Sequence, residues 1–530
     1  MTVKAIRLEN FMAFKDTGWV ELRPITLVFG RNSSGKSAII RALRLLRQSL
    51  DRGTRSQPLA FVVEGGLDQG DFKTTVNRRP NEEGEGQERY TWERIMSFAF
   101  RCRLTVTHDI LQERIRRAGR ETDRAQGDAF PEAHLFDFKV SFAWDEKDQR
   151  VKLVGVYILG PAFIETPDAP VLLAMERYKE RLSDESWNWL DPWYFWGSLV
   201  ENYEGDTSGS PFRNAFVELT SGWLPTLLGC DSARRRDAEG VTDDFDLCRN
   251  VLDELTQLVQ AFLKSMRYLG PMRPEPQRSY ILDQGANLKF GWGFTQVLSG
   301  QVSPDEAKKL NRWFRHLGLG ASLMLESTMT SLGGFARVDI QETDESNMEK
   351  PYHSRFNLRD VGYGASQVLP IVSESVLAPP GTSVFIEQPE LHLHPKLQVE
   401  LADLFIDRIH TATTKLLPDA SIEVQRDLSN VRFFLETHSE HLFLRFLRRI
   451  AETTDEDNYL LYDPDEALYV TDLNTLFVNR YHGFSRITII AIAPNGTLIN
   501  TPQGFEAFFA DDIRESIAIA RSTRRKGQRE

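Results

Sequence analysis

Apolar and polar positions alternate over Val3, Ala5, Ile6 and Leu8, turn at Phe11 to Phe14 and resume at Trp19-Val20-Glu21-Leu22, which predicts a β-hairpin. Pro24-Ile25-Thr26-Leu27-Val28-Phe29 is apolar without interruption and predicts a short buried strand. From Ser37 to Leu46 the apolar residues recur at helical spacing. Three further segments alternate with period two: Phe98 to Val106, Phe136 to Trp144 and Leu153 to Leu159. They predict an antiparallel sheet after the first helix. From about 168 to 265 the pattern turns helical and aromatic, with Trp187, Trp189, Trp193, Tyr194, Phe195 and Trp196 close together. Val251 to Phe262 has clear helical spacing and ends at Gly270-Pro271-Met272-Arg273-Pro274. Two more buried strands are expected at Thr382–Ile386 and Val431–Thr437. A last strand is expected at Ile487–Ala491, before an Asn495-Gly496 turn and a short helix.

Composition narrows this picture. With 530 residues, 41% hydrophobic and 26% charged, the chain is globular and too long for one ordinary core. No apolar run reaches the roughly 18 residues a membrane span needs, and the start runs straight into strand pattern, so a cytoplasmic protein without membrane partners is expected. Cys102, Cys230 and Cys248 lack metal-ligand spacing and are expected to be packing residues. A net charge of −12 excludes a surface basic all over but not a local basic groove.

Chemistry enters at Gly30-Arg31-Asn32-Ser33-Ser34-Gly35-Lys36-Ser37, a gapless G-x-x-x-x-G-K-[ST] placed between a buried strand and a helix. Glycines there let backbone N–H groups turn around phosphate oxygens at a helix N-terminus. Lys36 brings a point charge to the outer phosphates, and the Ser37 hydroxyl can ligate Mg²⁺. ATP with Mg²⁺ is the expected ligand, held by Gly30, Asn32, Ser33, Ser34, Gly35, Lys36, Ser37 and Ala38. Far downstream, Thr382-Ser383-Val384-Phe385-Ile386 ends at Glu387-Gln388-Pro389-Glu390, a buried strand delivering an acid at its C-terminal end. Glu387 is therefore the second candidate Mg²⁺ ligand. Before it, Asp360-Val361-Gly362-Tyr363-Gly364-Ala365-Ser366-Gln367 reads as a glycine-rich turn opening a helix. After it, a strand ends in Thr437-His438-Ser439-Glu440-His441.

In this order of motifs, with Tyr268-Leu269-Gly270-Pro271-x-Arg273 and Glu387 to Pro395, the chain resembles ABC-type ATPases. That group includes structural-maintenance proteins and RecF, and the resemblance is greatest to OLD-family and Septu-like ATPases of bacterial phage defence. It covers residues 1–80 and about 267–500 in scattered blocks. It implies an α/β fold: a split P-loop ATPase head with an antiparallel β-subdomain and a large, mainly helical insertion. Residues 1–100 and 266–500 would form the head, 101–265 an arm or interaction domain, and 501–530 a short helix and basic tail. His438 would contact the γ-phosphate. Gly362, Gly364 and Ser366 would close on a nucleotide held by a second copy, so a homodimer or higher oligomer is implied.

Two departures bear on mechanism. Gln388 stands where the family's water-activating glutamate would be; an amide orients water but cannot take its proton, so hydrolysis is slow or falls to Glu390. Gly362 replaces the serine of the usual signature. His392-x-His394 and His438-x-x-His441 have zinc-like spacing, yet the ATPase motifs already account for them. Asp463-Pro464-Asp465-Glu466 is the sole candidate for a nuclease acid cluster, and its proline makes it a turn, so no nuclease is expected in this chain. The Arg-rich Gln112 to Arg124 segment reads as a solvated loop, and the basic tail Arg521 to Arg529 as an element with weak affinity for nucleic acid. The function expected is an ATPase sensor or scaffold for a separate effector such as a nuclease, triggered by DNA or a phage protein. The alternative is a RecF- or SMC-like ATPase acting directly on DNA.

Overall fold

The computed structural model describes residues 2–64, 66–77, 95–105, 133–160, 171–183, 186–196, 216–228, 241–281, 291–317, 321–330, 333–343, 353–360, 363–410, 431–454, 467–502 and 505. The chain forms two compact units. The first comprises Met1–Glu21, Ser37–Lys264 and Arg480–Arg486, and the second Leu22–Lys36, Ser265–Asn479 and Ile487–Glu530.

In the first unit the strand Thr2–Phe11 pairs antiparallel with Phe14–Asp16, Val20–Glu21 and Ile95–Thr105. The sheet then continues antiparallel through Ala133–Asp145, Arg150–Leu159, Val171–Ser183 and Ser186–Trp196. Phe98, Phe100, Phe136, Phe138 and Phe142 are fully buried on it. The helix Ala38–Arg52 buries Ile39, Ile40, Leu43, Leu46 and Leu50, the stripe its spacing predicts. Against it lies Trp223, fully buried, whose Nε1 donates to the Leu46 carbonyl at 2.8 Å and whose ring stacks on Phe100. That contact satisfies the one polar atom of a large apolar group.

One expectation requires correction here. Among the described residues of 168–265, Val171–Ser183, Ser186–Trp196, Phe216–Ser221 and Leu224–Leu228 are strands rather than helices, and Val241–Ser265 alone is an α-helix. Aromatic-rich segments fit a pleated surface, and cross-strand pairs such as Arg177 with Trp193 override a loose helical spacing. Trp193 is buried beneath the Arg177 guanidinium, in keeping with a packing role. Gln112 to Arg124 lies outside the described residues.

The second unit is built on a sheet in which Arg267–Leu269, Ser383–Glu387, Arg432–Glu436, Ile25–Gly30 and Leu473–Tyr481 follow one another in space, all parallel. All six residues of Ile25–Gly30 are buried, as a central parallel strand covered on both faces requires. Around the sheet run the helices Tyr363–Val376, Pro395–His410 and Glu440–Thr454. The last two are tied by Asp403, which accepts hydrogen bonds from both Arg445 and Arg449. A smaller antiparallel sheet of Tyr280–Ile281, Ala321–Thr330, Gly333–Thr343 and His353–Asn357 buries Ala336, Val338 and Ile340. The Asn495-Gly496 turn is present, with Gly496 at φ 75° and Ala493 N–H donating to the Thr497 carbonyl. The fold class is thus α/β with a phosphate loop on a parallel sheet.

Candidate active site

Register decides where the chemistry converges. Glu387 lies beside Glu436, and Glu436 beside Val28, so three neighbouring parallel strands end at one level. Loops leaving the C-terminal edge of a parallel sheet form its natural ligand crevice. Here those loops carry Gly30 to Lys36, Gln388 to His394 and Thr437 to Ser439.

The phosphate loop is shaped by the backbone. Gly30 has φ 152°, and a Cβ on it would stand 2.2 Å from the Val478 carbonyl oxygen, so only glycine fits. Ser33 takes φ 60°, and Ser34 N–H closes a turn on the Arg31 carbonyl at 3.1 Å. Asn32 and Ser33 are exposed, Ser34 is buried and Gly35 is partly buried. Lys36 is 5% exposed and folds over its own loop, its Nζ donating to the carbonyls of Gly30 at 2.8 Å and Arg31 at 2.9 Å. Burial holds its ammonium below the usual lysine range, and Glu436 and Glu390 oppose that shift. Ser37 and Ala38 open the following helix; the Ser37 carbonyl accepts from Arg41 N–H at 2.9 Å.

At the end of Ser383–Glu387, the partly exposed Glu387 accepts a hydrogen bond at Oε1 from Tyr268 Oη at 3.0 Å. Gln388 follows with φ 47°, a left-handed conformation uncommon for a residue with a side chain. Its N–H donates to the Glu436 carbonyl at 2.7 Å, and its carbonyl accepts from Leu391 N–H at 3.2 Å and from Arg273 Nη2 at 3.0 Å. Glu390 accepts at both oxygens, from His438 N–H and from Thr437 Oγ1–H, each at 2.7 Å. Burial pushes its carboxyl above the usual range, with those hydrogen bonds and Arg273 pulling the other way. His438 is held down to about 4 by burial and by the nearby Lys36 cation, so its imidazole is neutral at pH 7. Ser439 starts the Glu440–Thr454 helix: its Oγ accepts from Leu442 N–H at 3.0 Å and donates to Gln398 Oε1 at 2.6 Å.

Within the second unit, then, Gly30 to Lys36, Glu387, Gln388, Glu390 and His438 lie along one sheet edge. Of the signature residues, Gly362 lies outside the described residues. Gly364 begins the Tyr363–Val376 helix, where an added Cβ would be 3.8 Å from the His392 carbonyl, and Ser366 is buried. Asp463 to Glu466 and the basic tail also lie outside the described residues. Of groups with three side chains spaced to hold a metal, the one among the described residues is His316, Glu400 and Asp403, which includes none of the His392, His394, His438 or His441 pairs. The motif reading gave no role to Tyr268, Arg273, Thr437 or Glu436. The spacing of Tyr268 to Arg273 signalled the first two; Glu436 gains meaning from its register beside Glu387, and Thr437 from its hydrogen bond to Glu390.

Residues 1–85 match a family model described as an AAA ATPase domain, and residues 242–445 one described as an AAA domain, putative AbiEii toxin, Type IV TA system. No curated protein matches the chain. Among solved structures, the SMC head domain from Thermotoga maritima aligns with 93% of this chain and 100% of its own at 11% identity and a TM-score of 0.34. The Smc head domain with an extended coiled coil bound to the C-terminal domain of ScpA, from Pyrococcus furiosus, aligns with 92% of this chain and 96% of its own at 10% identity and 0.33. Parallel sheet, phosphate loop and the two family matches together define a P-loop ATPase, with its two matched blocks separated along the chain. No helix among the described residues is long and apolar enough to cross a membrane.

Proposed function

We propose that this protein is a slowly hydrolysing ATPase of the OLD/Septu-like kind that closes on a second copy and scaffolds a separately encoded effector, such as a nuclease, in anti-phage defence. Gln388 carries the reading. It sits one residue past the strand-end acid, fixed by hydrogen bonds on both its N–H and its carbonyl, and its amide cannot accept a proton from water. The alternative base, Glu390, has both oxygens committed to Thr437 and His438. A site that binds ATP and turns it over slowly suits a sensor that holds a partner until triggered better than a motor. The description of one matching family as a putative toxin of a type IV toxin–antitoxin system favours a role in conflict between cell and invader.

Ser37 and Glu387 each offer an oxygen donor, the ligand class Mg²⁺ prefers, and Lys36 brings a point charge to the outer phosphates. Mg²⁺ held there would neutralise charge on the outer phosphates. Neutral His438 would donate a hydrogen bond to the γ-phosphate, and the Gly364–Ser366 segment would meet the nucleotide of the second copy. The test is light scattering with and without a non-hydrolysable ATP analogue, paired with mass spectrometry of proteins retained from the native host. ATP-dependent growth in mass and a retained effector are expected. Retention of DNA alone, with no protein partner, would favour the direct DNA-acting alternative.

A further inference from the structure

Arg273 is buried against the turn that follows the strand-end acid. It is 5% exposed, and its Nη2 donates to the carbonyls of Glu387 at 3.2 Å and Gln388 at 3.0 Å, the two residues at the strand end. Its Nε and Nη1 have no hydrogen-bond partner among the described residues. Burying guanidinium donors without acceptors is unfavourable, a cost this position carries while Nη2 clamps the two carbonyls of the strand-end turn. The chain brings this arginine here deliberately: Arg267–Leu269 pairs parallel with Ser383–Glu387, so the segment leaving it emerges at the same sheet edge as the phosphate loop. Tyr268, five residues earlier, holds the Glu387 carboxylate, so one short segment grips both side chain and backbone of the strand-end acid.

Gln388 needs such a grip. Its φ of 47° is disfavoured for a non-glycine residue, and such conformations persist where the surroundings over-determine them. Glu436 fixes the N–H side of this residue and Arg273 the carbonyl side. We propose that Arg273 is a positioning residue for hydrolysis: it holds the Glu387–Gln388 turn in its left-handed form and so aims the Gln388 amide at the attacking water. This rests on the reading of the chain as a slow ATPase. The guanidinium touches backbone, so its effect falls on the hydrolytic step and leaves ground-state nucleotide binding nearly intact.

Three measurements on the full chain test this: affinity for a fluorescent ATP analogue, single-turnover hydrolysis, and thermal melting. Arg273→Lys keeps the charge but not the planar fork, so its hydrolysis rate should fall by about 10²-fold, the size of effect that a displaced reacting group produces, while affinity changes less than about threefold. Should Arg273→Ala fail to fold, Arg273→Lys carries the test. The discriminating arm is a cycle with Gln388→Gly, because glycine adopts positive φ without restraint and has no amide to aim. In that background Arg273→Lys should change the rate by no more than about twofold. Equal rate losses in both backgrounds, or a loss of affinity matching the loss of rate, would overturn the proposal. Absence of any hydrolysis in the wild-type chain would instead overturn the ATPase reading on which it stands.

Discussion

Glu390 Oε1 accepts the backbone N–H of His438 at 2.7 Å, while Oε2 takes the Thr437 hydroxyl at the same distance. The carboxylate therefore joins the turn after the strand-end acid to the turn carrying the histidine. Glu390→Gln would place an NH₂ group against one of those donors and should cost about 1–3 kcal/mol of stability. Its turnover per folded molecule should change less than tenfold. Urea melts and single-turnover rates check both; a loss of about 10²-fold or more at unchanged stability would make Glu390 the base.

Nucleotide affinity should depend on Lys36, whose buried ammonium now bonds the carbonyls of Gly30 and Arg31. Lys36→Ala removes the loop's phosphate-directed cation. Loss of one charged hydrogen bond is worth about 1.5–3 kcal/mol, so a fluorescent ATP analogue should bind at least about tenfold more weakly. Undiminished affinity would show that the nucleotide sits elsewhere.

Gln388→Glu supplies the missing proton acceptor on an unchanged backbone. General-base assistance contributes about 10²- to 10⁴-fold, so turnover measured by phosphate release should rise at least tenfold. A variant slower than wild type would mean that the amide already does what the reaction needs.

His438 makes stability depend on pH. Its folded value, about 4, lies below the ordinary histidine value of 6.5, so between these limits the unfolded chain binds the proton that the folded chain refuses. This contribution is fully present above about pH 6.5 and is lost as pH falls toward 4, where the folded form also protonates. His438→Gln should therefore lose less stability than wild type between pH 7.5 and pH 4.5. Urea midpoints at the two values measure it, and identical losses in both proteins would place the histidine in solvent.

In the first unit, Trp223→Ala would empty a fully buried site against Phe100 and Phe142 and remove the indole hydrogen bond to the Leu46 carbonyl. Large-to-small changes of this kind cost about 3–5 kcal/mol, and the melting temperature should fall accordingly. Trp223→Phe, which keeps most of the volume, should cost less. Equal melting points for wild type and Trp223→Ala would mean that the tryptophan is not part of the core.

Local pattern was enough to give the phosphate loop, because strand, glycine turn and helix are consecutive in sequence and each is set by short-range chemistry. The same holds for the Ser383–Glu387 strand ending in an acid and for the three antiparallel segments between Ile95 and Leu159. Sequence alone misread the aromatic stretch near Trp187 to Trp196, since its spacing serves a helix loosely while its strand form depends on pairing with Val171–Ser183. Nor could it rank Gln388 against Glu390. What bears on that choice lies in tertiary structure, which engages both oxygens of Glu390 with the Thr437 turn and draws Arg273 onto the Gln388 carbonyl across more than a hundred residues of chain. Composition and periodicity fix what a segment can become; parallel register alone decides which distant side chains arrive at the same end of the sheet.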